Sequence, residues 1–199
     1  MSAVPASPSI AFADYSRRLQ AVLAATDWTG ATRLAEELRD CWATGRQVLI
    51  CGNGGSAGNA IHLANDFLYG ISKTRGSGLR VHALPANSSV LTCLANDESY
   101  DEVFSMQLAV QGRAHDVLIV LSGSGNSPNI LKALAQGRQI GMRTYAILGY
   151  SGGKAKSMAD VAIHFPVDDM QISEDLQLIV GHMLMQWLYK HHQTIPNAA

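Results

Sequence analysis

The chain has 199 residues, enough for one ordinary domain and few for two. Apolar residues make up 47% of it and charged residues 16%, a composition that excludes an intrinsically disordered protein. Fifteen Lys and Arg face sixteen Asp and Glu, so the basic excess of a nucleic-acid-binding protein is missing and no nucleic-acid partner is expected.

The N-terminal segment is predicted to be a flexible tail over residues 1–9, because it is small, polar and proline-containing. Residues 10–195 are predicted to form a single domain. It opens with a helical hairpin, since apolar residues recur at helical spacing on either side of a break at Thr29 and Gly30.

From residue 47 onward, short apolar runs alternate with helical segments. The predicted strands are 47–52, 79–85, 116–122, 143–149 and 161–166; the predicted helices are 56–70, 88–97, 101–112, 130–141 and 173–192. Strands that are apolar on both faces and separated by helices are typical of a parallel sheet covered on two sides. We therefore predict an α/β fold, an αβα sandwich with a five-stranded parallel sheet.

Three kinds of sequence feature bear on where the protein is found and on its cysteines. No apolar run reaches the roughly 20 residues that a membrane span needs, so no membrane association is expected. No secretory leader is recognisable, and a cytoplasmic protein is predicted. Three unpatterned cysteines suit neither a disulfide framework nor a zinc finger, and Cys51 and Cys93 are expected to be small core residues.

Two glycine- and serine-rich segments each follow a predicted strand and precede a helix. The first, Gly52–Ser56, could turn tightly and offer the helix N-terminus to an anion, or could be a turn without a ligand; the sequence leaves both readings open. The second, Ser122–Ser127, carries three hydroxyl groups and favours a phosphate monoester over a plain polar loop with a serine N-cap.

Histidine and carboxylate residues suggest a second kind of site. His62 and Asp66 are four apart on one helix and could share a metal or a proton, although the spacing alone favours a surface Asp and a His with an ordinary hydrogen-bond partner. His182 lies in an apolar stretch and needs a partner, either a backbone carbonyl or a metal or substrate group. Glu174 is separated from it by about 12 Å of helix, too far for both to hold one ion from one straight helix.

Five segments together resemble a known family: CGNGGSAGNAIHLANDF, SSVLTCLANDESYDEVF, DVLIVLSGSGNSPNILKAL, YSGGKAKSMADVAIHFP and ISEDLQLIVGHML. They are similar, in order over about residues 15–190, to the sugar isomerase (SIS) domain proteins and most of all to the phosphoheptose isomerases. The resemblance implies a cytoplasmic homotetramer with active sites between subunits. It also implies conversion of sedoheptulose 7-phosphate to D-glycero-D-manno-heptose 7-phosphate, on the way to the heptose of lipopolysaccharide.

The resemblance also implies a set of site residues. Zn²⁺ or another divalent metal would be held by His62, Asp66, Glu174 and His182, with Asp66 and His182 as the catalytic acid–base pair. Substrate contacts would come from Asn53, Gly54, Gly55, Ser56, Asn96, Asp97, Ser122, Gly123, Ser124, Asn126, Ser127 and Glu174. Three positions depart from the family pattern: Asp66 replaces Glu, Glu174 replaces Gln, and Gly70 replaces an Arg.

Three other functions are alternatives to this one. The departures permit a different ketose phosphate as substrate. A related tetrameric adaptor that binds the replication initiator DnaA has a similar ANDESYDEVF segment, but it lacks a His at the position of His182, which favours an enzyme. A sugar-phosphate-sensing regulator would need a fused DNA-binding domain, for which 199 residues leave no room.

Overall fold

The structure, a computed structural model, describes residues 7–73 and 78–191. Its helices are α1 Pro8–Ala25, α2 Thr29–Ala43, α3 Gly55–Leu68, α4 Ser88–Asp97, α5 Ser105–Gln111, α6 Pro128–Ile140, α7 Ala155–Met158 and α8 Met170–His191. Its strands are β1 Gln47–Gly52, β2 Arg80–Ala83, β3 Val117–Ser122, β4 Arg143–Leu148 and β5 Val161–His164. The ends of the predicted tail and domain, residues 1–6 and 192–195, lie outside the described residues.

The five strands form one parallel sheet in the order β2-β1-β3-β4-β5, which confirms the predicted architecture. The chain runs outward from β1 to β2 and then returns to place β3 on the other side of β1. Ligands of open α/β sheets bind where the strand order reverses in this way, at the carboxyl ends of the strands. The loops after β1 and β3, the two glycine- and serine-rich segments, therefore meet at this point.

Two apolar layers hold the sheet between helices. One packs α2, α3 and α8 against the sheet, with Leu34, Phe67 and Leu176 fully buried. The other packs α5 and α6 against the opposite face, around Phe104 and Leu134. Among the described residues, no helix combines the length and the apolar character needed to cross a bilayer.

Gly30 was wrongly interpreted as a helix break. Helix α2 begins at Thr29 and contains Gly30, and the two helices are joined by residues 26–28 instead. A Cβ atom at Gly30 would lie 3.1 Å from Cγ1 of Ile163, so the glycine allows α2 to approach β5 closely. The residue is there for packing, which its sequence neighbourhood does not reveal.

Three other local expectations were also wrong. Strand β2 ends at Ala83 rather than 85, because Leu84–Ala86 form a 3-10 turn in which Pro85 has no N–H to offer a strand ladder. Helix α5 begins at Ser105 rather than 101, after a 3-10 turn. Cys93 is exposed on α4, whereas Cys51 is buried as expected; all three cysteines are free.

Helix α8 begins three residues earlier than predicted. Asp169 precedes it and caps its first turn, accepting a hydrogen bond from the backbone N–H of Ile172 at 3.0 Å. The Arg18 guanidinium of α1 also binds this carboxylate, at 2.6 Å, and Tyr15 donates to Asp175 at 2.5 Å. Glu174 therefore lies in the second turn of α8 and not at its first residues.

Candidate active site

A cleft of about 280 Å³ opens at the carboxyl edge of the sheet, between the loops that follow β1 and β3. Nine of the predicted substrate-binding residues line it: Asn53, Gly54, Gly55, Ser56, Ser122, Gly123, Ser124, Ser127 and Glu174. Leu121 and Met170 complete the lining and were not foreseen. Helices α3 and α6 both begin at this cleft, so their N-terminal dipoles favour an anion within it.

Serine hydroxyl groups of the cleft already accept hydrogen bonds from the protein. The Ser56 Oγ accepts from the side chain of Gln177 at 3.0 Å, the Ser122 Oγ from the backbone N–H of Gly125 at 3.0 Å, and the Ser124 Oγ from that of Asn126 at 3.3 Å. Each hydroxyl hydrogen is then left to donate to another acceptor. Three such donors suit a ligand that is rich in acceptor oxygens.

Asn53 uses its side chain to join the two loops. Its Oδ1 accepts hydrogen bonds from Asn129 at 2.8 Å and from Tyr100 at 3.0 Å, and its amide group donates to Asn129 Oδ1 at 2.8 Å. Asn129 is almost fully buried. Asn53 therefore lines the cleft as predicted, while its side chain serves mainly to hold the β1 loop against α6.

The other predicted substrate contacts do not line the cleft. The Asn126 side chain turns away and accepts a hydrogen bond from the backbone N–H of Lys154 at 3.0 Å. Asn96 and Asp97 are exposed at the end of α4, where hydrogen bonds from the Asn96 amide and then from Cys93 lower the pKa of the Asp97 carboxyl. Within this single chain these three residues stand apart from the cleft.

His62, Asp66 and His182 form a second group, here called the triad, between α3 and α8. The Nε2 atoms of the two histidines are 2.9 Å apart, and Asp66 Oδ2 lies 3.4 Å from that of His62 and 3.6 Å from that of His182. Both histidines are about half exposed and Asp66 is 16% exposed. The structure thus brings together three of the four predicted metal ligands.

The close approach of α3 and α8 makes the triad possible. Gly181, next to His182, is buried against Leu63, next to His62. A methyl group on Gly181 would overlap the terminal methyl groups of Leu63. The missing side chain therefore lets the two helices come close enough for the histidine rings to meet.

The triad fits a zinc ion on its own donor geometry. Tetrahedral Zn²⁺ with bonds of about 2.0–2.2 Å separates its ligand atoms by roughly 3.3–3.6 Å. The two distances from Asp66 to the histidines, 3.4 and 3.6 Å, match this range, and the two Nε2 atoms at 2.9 Å would have to move apart by about 0.4 Å. Two histidines and one carboxylate, with a fourth position open, are also the donors of many catalytic zinc sites. Without an ion, two Nε2 atoms at 2.9 Å must share one proton, because one has to donate and the other to accept.

Glu174 does not belong to the triad within this chain. Its carboxylate lies directly beside Gly55 and lines the cleft, while His182 is two turns further along α8. Between them the buried side chain of Gln177 bonds both to Ser56 and to Asn59 of α3. Gln177 was not predicted as a site residue, although it is a polar residue in an otherwise apolar helix, the same signal that pointed to His182.

Comparisons with known proteins agree on the family. The sequence profile of the SIS domain matches residues 11–149. The chain belongs to the SIS-domain family. It is 41% identical over 145 residues to the phosphoheptose isomerase of Helicobacter pylori strain P12, covering 73% of this chain and 75% of that protein. It is 38% identical over 174 residues to that of Chlorobaculum parvum strain DSM 263, covering 86% and 83%.

A solved structure extends this agreement to three dimensions. The phosphoheptose isomerase of Neisseria gonorrhoeae is 30% identical to this SIS-domain chain and superposes with a TM-score of 0.82, over 92% of this chain and 96% of that one. These results confirm the resemblance to phosphoheptose isomerases and the prediction of an isomerase. They favour the enzyme over the DnaA-binding adaptor.

Proposed function

We propose that the chain is an aldose–ketose isomerase that converts sedoheptulose 7-phosphate to D-glycero-D-manno-heptose 7-phosphate. The observation that carries this proposal is the pairing of two sites on the same two helices: a cleft rich in hydroxyl donors, and a triad of imidazole and carboxylate groups. The first suits the phosphate of such a substrate. The second supplies the acid and base that move a proton between C1 and C2.

The cleft would hold the phosphate with neutral groups. Hydrogens of Ser56, Ser122 and Ser124 are free to donate, and Ser127 makes no capping bond with its own hydroxyl. The N-termini of α3 and α6 add favourable dipoles. The Glu174 carboxylate would face the hydroxyl groups of the sugar, since it would repel the phosphate.

Asp66 can serve as both ligand and base because its two oxygens have different surroundings. Oδ2 faces the two histidines, whereas Oδ1 accepts, from the residues that the structure describes, only a long hydrogen bond of 3.4 Å from the Asn65 amide. Oδ1 would take the proton from the substrate carbon, and His182 would exchange a proton with the substrate oxygens through Nδ1, because its Nε2 atom faces the metal position. The shorter side chain, compared with the Glu of the family, would still reach one metal and one proton.

We assign Zn²⁺, or another divalent ion, to His62, Asp66 and His182. When bound, it would supply Lewis-acid polarisation of the substrate carbonyl. Glu174 lies about 12 Å of helix from His182, so it could ligate such an ion only in a neighbouring subunit. Its role as a metal ligand stays a prediction for the assembled protein.

We further propose a cytoplasmic homotetramer whose active sites lie between subunits, making heptose for lipopolysaccharide. A base must come within hydrogen-bond reach of the proton it takes, yet several turns of α3 separate Ser56 from Asp66 in one chain. A triad from one subunit beside the cleft of another would close that gap. The exposed apolar side chains of Ile61 and Met183, each next to a triad histidine, are consistent with a covered face.

The test is a turnover assay with a panel of ketose phosphates, on the protein as isolated and after chelator treatment. Activity on sedoheptulose 7-phosphate that falls on chelation and returns with Zn²⁺ supports the proposal. A preference for another ketose phosphate would correct the substrate, and Gly70 would be the first residue to examine, because the Met185 methyl group now occupies the direction of the missing side chain. A metal-free, inactive tetramer that captures DnaA would contradict it.

A further inference from the structure

Gln177 is nearly fully buried on α8, with 1% of its surface exposed, and no step of the proposed reaction uses it. Its amide links α8 to α3, and each of these helices carries residues of both the cleft and the triad. The Nε2 atom donates to Ser56 Oγ at 3.0 Å, and Oε1 accepts from Asn59 Nδ2 at 3.0 Å. Both partners lie on α3, at the end of that helix that forms the cleft.

A fixed backbone carbonyl determines the direction of every bond in this network. Asn59 Nδ2 also lies 3.0 Å from the carbonyl oxygen of Glu174, which can only accept, so this atom must be the amide nitrogen. The Gln177 atom that faces Asn59 must then be its oxygen. Its nitrogen is left to face Ser56, whose Oγ has to be the acceptor.

This network determines what the Ser56 hydroxyl can donate to. Within residues 7–73 and 78–191, Ser56 donates no hydrogen bond from its side chain, and it lines the cleft. With a lone pair held by Gln177, the hydroxyl hydrogen is free for an acceptor in the cleft. The same arrangement at Ser122 and Ser124 is built from backbone N–H groups; at Ser56 alone among the three it depends on a side chain.

We propose that Gln177 is a positioning residue for phosphate binding: it orients the Ser56 hydroxyl as a donor toward the phosphate oxygens. The inference rests on the proposed function, because it takes the cleft to be the phosphate site. It assigns no proton transfer to Gln177, which never touches the substrate. Its effect is on binding, through Ser56.

The experiment measures affinity for inorganic phosphate by calorimetry on the full-length protein. Gln177→Met keeps the length of the side chain and removes the N–H, and we expect about tenfold weaker binding, the size of one well-oriented charge-assisted hydrogen bond. Ser56→Ala should lose a similar factor. In the Ser56→Ala background, Gln177→Met should then change affinity by less than about twofold, because its route to the ligand is gone.

Gln107→Met is the matched control. Gln107 is also buried and bonded, donating to the carbonyl oxygen of Val103, but it lies on α5 away from the cleft. Its replacement should affect stability without changing phosphate affinity. If Gln177→Met does not fold, Asn59→Leu/Gln177→Met takes its place, since removing both amides leaves no buried donor without a partner.

Enzyme kinetics separate positioning from general damage. With a ketose phosphate that the protein turns over, Gln177→Met should raise KM about tenfold and leave kcat within about twofold. Unchanged phosphate affinity in Gln177→Met, or an equal loss with and without Ser56, would overturn the inference and leave the proposed function standing. A wild-type protein that binds neither inorganic phosphate nor any ketose phosphate would overturn the proposed function itself.

Discussion

The cleft and the triad share helices α3 and α8 but are constructed differently. The cleft is made of short contiguous segments, and its hydrogen-bond geometry is supplied largely by backbone N–H groups of the same loop. The triad is made of three side chains from two helices, with the histidines 120 residues apart, and it depends on the close packing of those helices, to which the contact of Gly181 with Leu63 contributes. We therefore expect changes in helix packing to affect the triad more than the cleft, where the Ser56 hydroxyl depends on α8 through Gln177 but Ser122 and Ser124 depend on their own loop.

The largest effect is expected for a variant that loses turnover and keeps its affinity for phosphate. Asp66→Asn keeps the size of the side chain but removes the base, and turnover should fall at least about a hundredfold while phosphate affinity stays within about twofold. Asp168→Asn, which changes an exposed carboxylate just before α8, is the control. Steady-state kinetics and calorimetry on both variants check this. A near-normal rate in Asp66→Asn would remove Asp66 from the mechanism.

Removal of the metal should separate the two sites again. Lewis-acid polarisation contributes several kcal/mol to such reactions, so chelation should reduce turnover about a hundredfold or more. Phosphate affinity should not change, because no residue of the triad lines the cleft. Metal analysis before and after treatment, with activity restored by Zn²⁺, provides the measurement; full activity in metal-free protein would contradict it.

Gly181→Ala tests whether the packing of α3 on α8 matters more for the triad than for the cleft. The added methyl group overlaps Leu63, and we expect unfolding free energy to fall by about 1–3 kcal/mol. Metal affinity should drop about 10–100-fold as the histidines separate. Phosphate affinity should fall less than metal affinity, by no more than the roughly tenfold expected for loss of the Gln177–Ser56 hydrogen bond between the same two helices.

Leu63→Val in the Gly181→Ala background removes the overlapping methyl groups and should recover part of the loss in both stability and metal affinity. Denaturant unfolding and metal titration measure the two quantities. Equal losses of phosphate and metal affinity in Gly181→Ala would show that the two sites are not built independently.

The smallest effect concerns the start of α8, which carries Met170 and Glu174 into the cleft. The backbone N–H of Ile172, and then Arg18, lower the pKa of the Asp169 carboxyl. Its stabilisation is therefore complete above about pH 4, where the carboxyl also ionises in the unfolded chain, and is lost as the pH falls through the lower folded value. Asp169→Asn retains the cap and loses the charge, so it should be about 0.5–1 kcal/mol less stable at pH 7.

Denaturant unfolding of both proteins at several pH values checks this sign. The difference between wild type and Asp169→Asn should shrink toward zero as the pH drops below 4. A difference that stays constant with pH would mean that the charge of Asp169 contributes nothing.

Local patterns predicted most of the fold. Runs such as 47–52 and 116–122 are apolar on both faces, and this alone indicated buried parallel strands. Gly30 shows where local patterns fail: a glycine in a helix was predicted to be a break, although its place in α2 allows a close approach to Ile163. Which neighbour a residue packs against is decided by tertiary structure, and a single sequence does not contain that information directly.

The candidate site was also predicted only in part, where local sequence patterns carried enough information. The serines of 122–127 were predicted together because they are adjacent in the chain, and His62 with Asp66 because four residues make one helical turn. The meeting of His182 with that pair came only from family resemblance. Gln177, Asn59 and Asn129 were not predicted, because the sequence does not show that an amide side chain is buried or which groups it bonds to.

The lining of the cleft contains neither lysine nor arginine among the described residues. Oriented hydroxyl groups and peptide dipoles have no net charge for mobile ions to neutralise, whereas a lysine-based site weakens as salt accumulates around it. Rising ionic strength should consequently not weaken substrate capture by this protein, because the one charged side chain of the described lining, the Glu174 carboxylate, repels the phosphate and is itself screened by salt.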